Sequence, residues 1–222
     1  MRAGRWTLRD ILYSAYVHLY PFVFCMRSFQ YEGTRYEYMF HPYGATLTSE
    51  RIVEVPIALE ALRAHAGERV LEIGNVLNHY AKCDHIVIDK YEKSDGCINL
   101  DILDYRPSYG FDFVVSVSTV EHIGWNKYER EPEKAVLALE HMKRLLAPGG
   151  RMLATIPLGY NQVLDRHLQS DRCIFHKMCF LMRSSSRNQW VQVSAEAAFG
   201  AKYGSPYPFA NGLVIGYATK ES

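Results

Sequence analysis

The sequence is nearly without net charge: 25 Lys and Arg stand against 24 Asp and Glu, a formal balance of +1. Charge alone therefore favours neither nucleic acid nor an anionic membrane as a partner. No basic aromatic stripe stands out, so no nucleic-acid acceptor is expected. The five cysteines are odd in number and form no Cys-x-x-Cys pair. That argues against a disulfide framework or a zinc ribbon and fits a reducing cytoplasm. His79, His85, His167 and His176 lack metal-ligand spacing, and no metal is expected. Repeats and low-complexity segments are absent. The most apolar stretch, Ile11 to Met26, is too short to span a bilayer, is interrupted by His18 and Pro21, and lacks an Ala-x-Ala-like cleavage site after the basic Met1-Arg-Ala-Gly-Arg5.

What is present reads as an ordinary globular chain, 48% hydrophobic and 22% charged over 222 residues. One α/β domain over 49–222 is expected, preceded by an aromatic extension over 1–48. A helix in the extension is expected to pack on the domain. Residues 11–29 are also a candidate for peripheral membrane contact or a lid, and the tyrosines suit a homodimer interface. Phe40-His-Pro-Tyr-Gly44 supplies turn chemistry. From Glu50 to His65, Ile52, Val55, Leu59 and Leu62 fall at helical spacing, with Pro56 as the expected kink or break and Gly67 as the stop.

After Gly67 come short apolar runs: Val70 to Ile73, Ile86 to Ile88, Cys97 to Leu100, Phe113 to Val117 and Met152 to Ile156. Such runs suit strands buried on both faces of a parallel sheet. Between the last two, Pro132 to Leu146 carries Ala135, Leu139, Met142 and Leu146 on one helical face, with Pro148-Gly149-Gly150 as terminator. Trp190 to Val193 and Leu213 to Ala218 are further strand candidates.

In a doubly wound sheet, ligands lie beyond the carboxyl ends of the strands. Gly74 and Asn75 follow the first run, in a turn expected to open a helix whose N–H groups could meet a ligand. Asp89 ends the second run, where a carboxylate can accept hydrogen bonds from a ribose diol. Asp101 and Asp104 follow the third, as ligand acceptors or as simple turn caps. Ser118, Thr119, Glu121 and His122 follow the fourth. Glu121 and His122 are candidates for proton transfer, with His122 the preferred base, or for lining a pocket. No second glycine follows Gly74 before Lys82, and Lys90 to Gly96 is a short connection for a parallel crossover.

Taken in order, Leu71-Glu-Ile-Gly74, Ile88-Asp89, Asn99-Leu-Asp101, Phe111-Asp-Phe-Val-Val-Ser116, Ser118-Thr-Val-Glu-His-Ile123 and Leu146-Ala-Pro-Gly-Gly150 resemble the class I S-adenosylmethionine-dependent methyltransferases, over roughly residues 68 to 160. The resemblance implies a Rossmann-like, doubly wound, mostly parallel sheet of about seven strands. It implies S-adenosyl-L-methionine as cofactor, with Glu72, Gly74, Asn75, Asp89, Lys90, Asp101, Ile102 and Ser118 around it. Within that grouping Asp89 holds the ribose and Asp101 lies near the adenine. The expected activity is methyl transfer to a small-molecule or saccharide-type acceptor. Two alternatives stay open. A non-catalytic methyltransferase-like subunit would account for the missing glycines. A nicotinamide-dependent oxidoreductase would also use Asp89 but needs glycines for its pyrophosphate.

Overall fold

The apolar runs form strands of one eight-stranded sheet. The structure, a computed structural model, describes residues 7–23 and 27–221; the Met1 to Arg5 segment and Cys25 lie outside the described residues. In chain order the elements are α1 (Leu8–Val23), β1 (Ser28–Tyr31), β2 (Thr34–Glu37), α2 (Arg51–Ala64), β3 (Val70–Ile73), β4 (Ile86–Ile88), β5 (Cys97–Ile98), β6 (Phe111–Val117), α3 (Lys134–Arg144), β7 (Leu146–Pro157), α4 (Gln162–Leu168), β8 (Lys177–Arg183), β9 (Trp190–Val193), α5 (Ala195–Phe199) and β10 (Gly212–Thr219).

The sheet order is β5-β4-β3-β6-β7-β10-β8-β9. Pairings from β5 to β7 are parallel, and those among β7, β10, β8 and β9 are antiparallel. Numbered by sequence, the five parallel strands lie in the order 3-2-1-4-5 of a doubly wound fold, which is the Rossmann-like sheet expected. β8 is additional to the expected strands.

Alternation along the strands divides the interior into two cores. Phe113, Val115 and Val117 of β6 pack with Ile52, Val55 and Leu59 of α2. Val114, with Leu71 and Ile73 of β3, packs on the other face with Ala135, Leu139 and Met142 of α3. Successive strand side chains point to opposite faces, so an apolar run clothed by helices on both sides has no polar side.

Several local expectations are corrected. Helix α2 runs straight through Pro56. Proline lacks the N–H that would bond the Ile52 carbonyl, and the Met39 N–H takes that carbonyl instead at 2.9 Å. Pro148-Gly149-Gly150 does not end α3, which stops at Arg144; it lies inside β7, whose Leu146 already pairs with Phe111. The turn after Gly74 opens no α-helix, only a 3-10 turn at Leu77–His79. Residues 89–96 join β4 to β5 as a loop without a helix.

The aromatic extension shares the α2-side core: Val17, Tyr20, Phe29, Tyr31, Tyr38 and Leu47 are buried in it. β1 and β2 form an antiparallel hairpin. The Tyr31 hydroxyl meets that of Tyr217 in β10 at 2.7 Å, and Glu32 pairs with Lys177 and Gln192.

Candidate functional site

A cleft of about 870 Å3, counted to its open mouth, lies at the carboxyl ends of β3, β4 and β6. This is the point where the strand order reverses, between β3 and β6, and where a doubly wound sheet leaves a crevice. Gly74, Asn75, Asp89, Lys90, Asp101, Ile102, Ser118 and His122 all line it. Glu72 and Glu121 do not.

Glu72 is fully buried and acts beneath the cleft floor. One carboxylate oxygen accepts the N–H groups of Val76 and Leu77 at 2.9 and 2.8 Å; the other lies 2.7 Å from His85 Nε2. The remaining amides of the turn are also committed. Gly74 N–H bonds the Ile88 carbonyl at 2.8 Å, and Asn75 N–H bonds Asp89 at 3.2 Å. Residues 74–77 therefore present no free N–H nest for a phosphate. Gly74 has φ +84. Asn75 follows it, and its side-chain amide bonds Glu92 at 2.6 Å and Ser94 at 3.0 Å.

Asp89 holds the cleft's rim together. Its Oδ1 accepts from the Tyr91 and Glu92 N–H groups, both at 2.8 Å, and its Oδ2 from Asn75 N–H. A carboxylate offers roughly four acceptor positions, so about one is left toward the cleft. Glu92 stands beside it with His79 at 3.0 Å, and Tyr43 stacks on His79 with ring centroids 3.9 Å apart.

On the opposite rim, Lys90 bridges Asp101, at 2.9 Å, and Glu129. Glu129, then Asp101, hold the Lys90 ammonium above its ordinary range against partial burial. Burial pushes the Asp101 carboxyl up, but Lys90 and the Leu103 N–H outweigh it and leave it below its usual range. Asp101 also caps the 3-10 turn Ile102–Asp104 by accepting that N–H, so the capping reading of this residue holds as well. In all, Asp89, Glu92, Asp101 and Glu129 line the cleft against two permanent cations, Lys90 and Arg51.

The back wall is built by α2. Ser118 sits at φ +38, strained for a residue with a side chain. Its hydroxyl donates to Glu54 at 2.6 Å, and Thr155 Oγ1 donates to the same oxygen at 2.8 Å. The other Glu54 oxygen pairs with Arg51 at 2.9 Å, and Arg51 donates to the Val117 carbonyl at 3.0 Å. One buried helix pair thus staples the ends of β6 and β7. Glu54 was legible as unusual, a carboxylate within an apolar helical run; its partners were not.

Glu121 lies behind this wall, fully buried, with Oε2 lacking a hydrogen-bond partner among the described residues. Burial raises its carboxyl well above the ordinary range. His122 does reach the cleft. Burial, then the Arg51 charge, lowers its imidazole to about 4, leaving it neutral near pH 7 and a weaker base than an ordinary histidine. Its ring stands edge-on to Tyr160, centroids 4.3 Å apart. Tyr43, Arg51, Tyr91, Glu92, Asn126 and Glu129 also line it, from positions that carry no motif. No group of residues suited to a metal occurs among the described residues.

No family model matches the chain, and no curated protein does. Solved structures similar to it include N-methyltransferase NodS from Bradyrhizobium japonicum in complex with S-adenosyl-L-homocysteine, at 14% identity and TM-score 0.46 over 76% of this chain and 86% of that one. A second is the Burkholderia thailandensis 1,6-didemethyltoxoflavin-N1-methyltransferase, at 14% identity and TM-score 0.42 over 77% and 79%. A third is a sugar N-methyltransferase from Streptoalloteichus, at 12% identity and TM-score 0.37 over 76% and 87%.

Proposed function

We propose that the protein is an S-adenosyl-L-methionine-dependent methyltransferase acting on a small-molecule or saccharide-type acceptor, with its cofactor in the cleft between β3 and β6. The observation that carries this reading is the charge and hydrogen-bond character of the cleft. Four carboxylates line it, and the turn after β3 has no amide to spare. A pyrophosphate would meet four carboxylates and no free backbone amide in that turn, which disfavours a nicotinamide dinucleotide; a cationic nucleoside with a ribose diol meets acceptors.

The residues present fit that group. Asp89, with one acceptor position left, and the neighbouring Glu92 would share the diol. Ile102 and Leu100 would face the adenine, with Asp101 at its edge. Gly74, Ser118 and Thr119 would border the methionine portion. When bound, the cofactor supplies a methyl group already activated on a sulfonium, so the protein's part is alignment more than covalent help. Where an acceptor must lose a proton, neutral His122 is the side chain placed to take it. Glu121, buried behind the wall, supports that segment.

A reading as a non-catalytic subunit draws on one observation, the Lys90 bridge that satisfies Asp101 and Glu129 without any ligand. Calorimetric titration with S-adenosylmethionine, S-adenosylhomocysteine and NAD separates the readings. We expect binding of the first two, none of NAD, and affinity at least tenfold weaker in Asp89→Asn. Absence of heat with both adenosyl compounds would sink the proposal.

A further inference from the structure

Helix α1 turns only part of its surface to the core. Val17 and Tyr20 are buried, while Ile11, Leu12, Tyr16, Leu19, Phe22 and Val23 are each between 51% and 68% exposed. At 100° per residue these six fall within one arc of about 140° on the wheel, opposite Asp10 and the core-facing Val17. Their combined exposed area is on the order of 800 Å2, above the roughly 300–600 Å2 of the largest apolar patch on a typical monomer.

Three observations select the occupant. Leu12, Tyr16, Leu19 and Val23 recur at i, i+4, i+7 and i+11, the alternating four-three spacing of a helix-to-helix seam. The area matches the roughly 800 Å2 per partner of a standard stable interface. Helix α1 carries a single Lys or Arg, Arg9, in sixteen residues, whereas a helix lying on an anionic bilayer carries several basic residues along its polar face. We infer that this face pairs with the same face of a second copy, giving a two-fold dimer closed by two α1 helices. Each apolar stripe is its own complement across the axis, and one such pairing leaves no further surface to propagate.

Sedimentation velocity of the full chain at about 10 µM, a range that populates interfaces of ordinary affinity, tests this. The expected mass is twice that of one chain. Leu12→Glu with Leu19→Glu should halve it while the core still unfolds in a cooperative thermal transition; Leu12→Ala with Leu19→Ala, which keeps helix propensity and adds no charge, should weaken dimerisation in the same direction. His18→Glu, off the stripe, should stay dimeric. A wild-type monomer at this concentration overturns the inference, as does a dimer that survives both double substitutions. A wild-type monomer that co-sediments with phosphatidylglycerol vesicles would assign the stripe to a membrane instead.

Discussion

Thr119 occupies the space that a side chain on Gly74 would need. A Cβ built on Gly74 would stand 2.2 Å from Thr119 Oγ1 and 2.9 Å from its Cβ. The glycine that begins the cofactor-like motif is thus required by the packing of the β6 end against the β3 end, as well as by its φ of +84.

Gly74→Ala should therefore be costly through two separable causes, strain at positive φ of about 1 kcal/mol and overlap worth about 1–3 kcal/mol. Adding Thr119→Ala removes the two closest atoms and leaves only the Cβ at 2.9 Å, so it should return most of the overlap part and leave the strain. Urea unfolding of the two variants measures this; a double variant less stable than Gly74→Ala would show that Thr119 is not the obstacle.

Burial pushes the Asp165 carboxyl up to about 6; its Oδ2 accepts the Gly159 N–H at 2.9 Å while Oδ1 has no hydrogen-bond partner among the described residues. An acid that holds its proton more tightly when folded contributes fully below its ordinary value of 3.8, and that contribution falls away as pH rises toward about 6. Asp165→Asn keeps an acceptor for Gly159 and cannot ionise. Allowing for partial exposure, it should gain about 1 kcal/mol at pH 8, a rise of about 2–4 °C in Tm, and nothing at pH 4. Calorimetric scans at the two pH values check the sign.

Asn188 ties the aromatic extension to the domain. It is fully buried at φ +63, a conformation asparagine tolerates. Its amide donates to the Thr46 and Ser49 carbonyls at 3.0 and 2.8 Å and accepts from the Trp190 indole at 2.8 Å. Asn188→Asp would turn a carboxylate toward two carbonyls and should cost about 3 kcal/mol or more. Proteolysis within residues 28–48 should then precede cleavage elsewhere, and cleavage patterns like the wild type's would argue against the tie.

The strands were readable because buried runs and helical spacing are local properties. β3, β4, β6, β9 and β10 fall on the expected apolar segments, and Gly74, Asp89, Asp101 and Ser118 come to one cleft because each follows a strand end. Pro56 was misleading for the opposite reason: whether a proline breaks a helix depends on who takes the orphaned carbonyl, and Met39 lies on another segment.

By itself the sequence determined seven of the sheet's eight strands, the order of polar residues along its carboxyl edge and the apolar stretch that holds α1, all set by patterns within a few residues. Tertiary structure alone decided which polar atoms remain available there. Glu72 was drawn under the turn, Asp89 was left about one acceptor position, Lys90 was placed between Asp101 and Glu129, and Arg51 and Glu54 were brought to the back wall. The reason is physical. A buried polar group must find a partner wherever the fold provides one, and that partner can lie 101 residues away, as Thr155 does from Glu54.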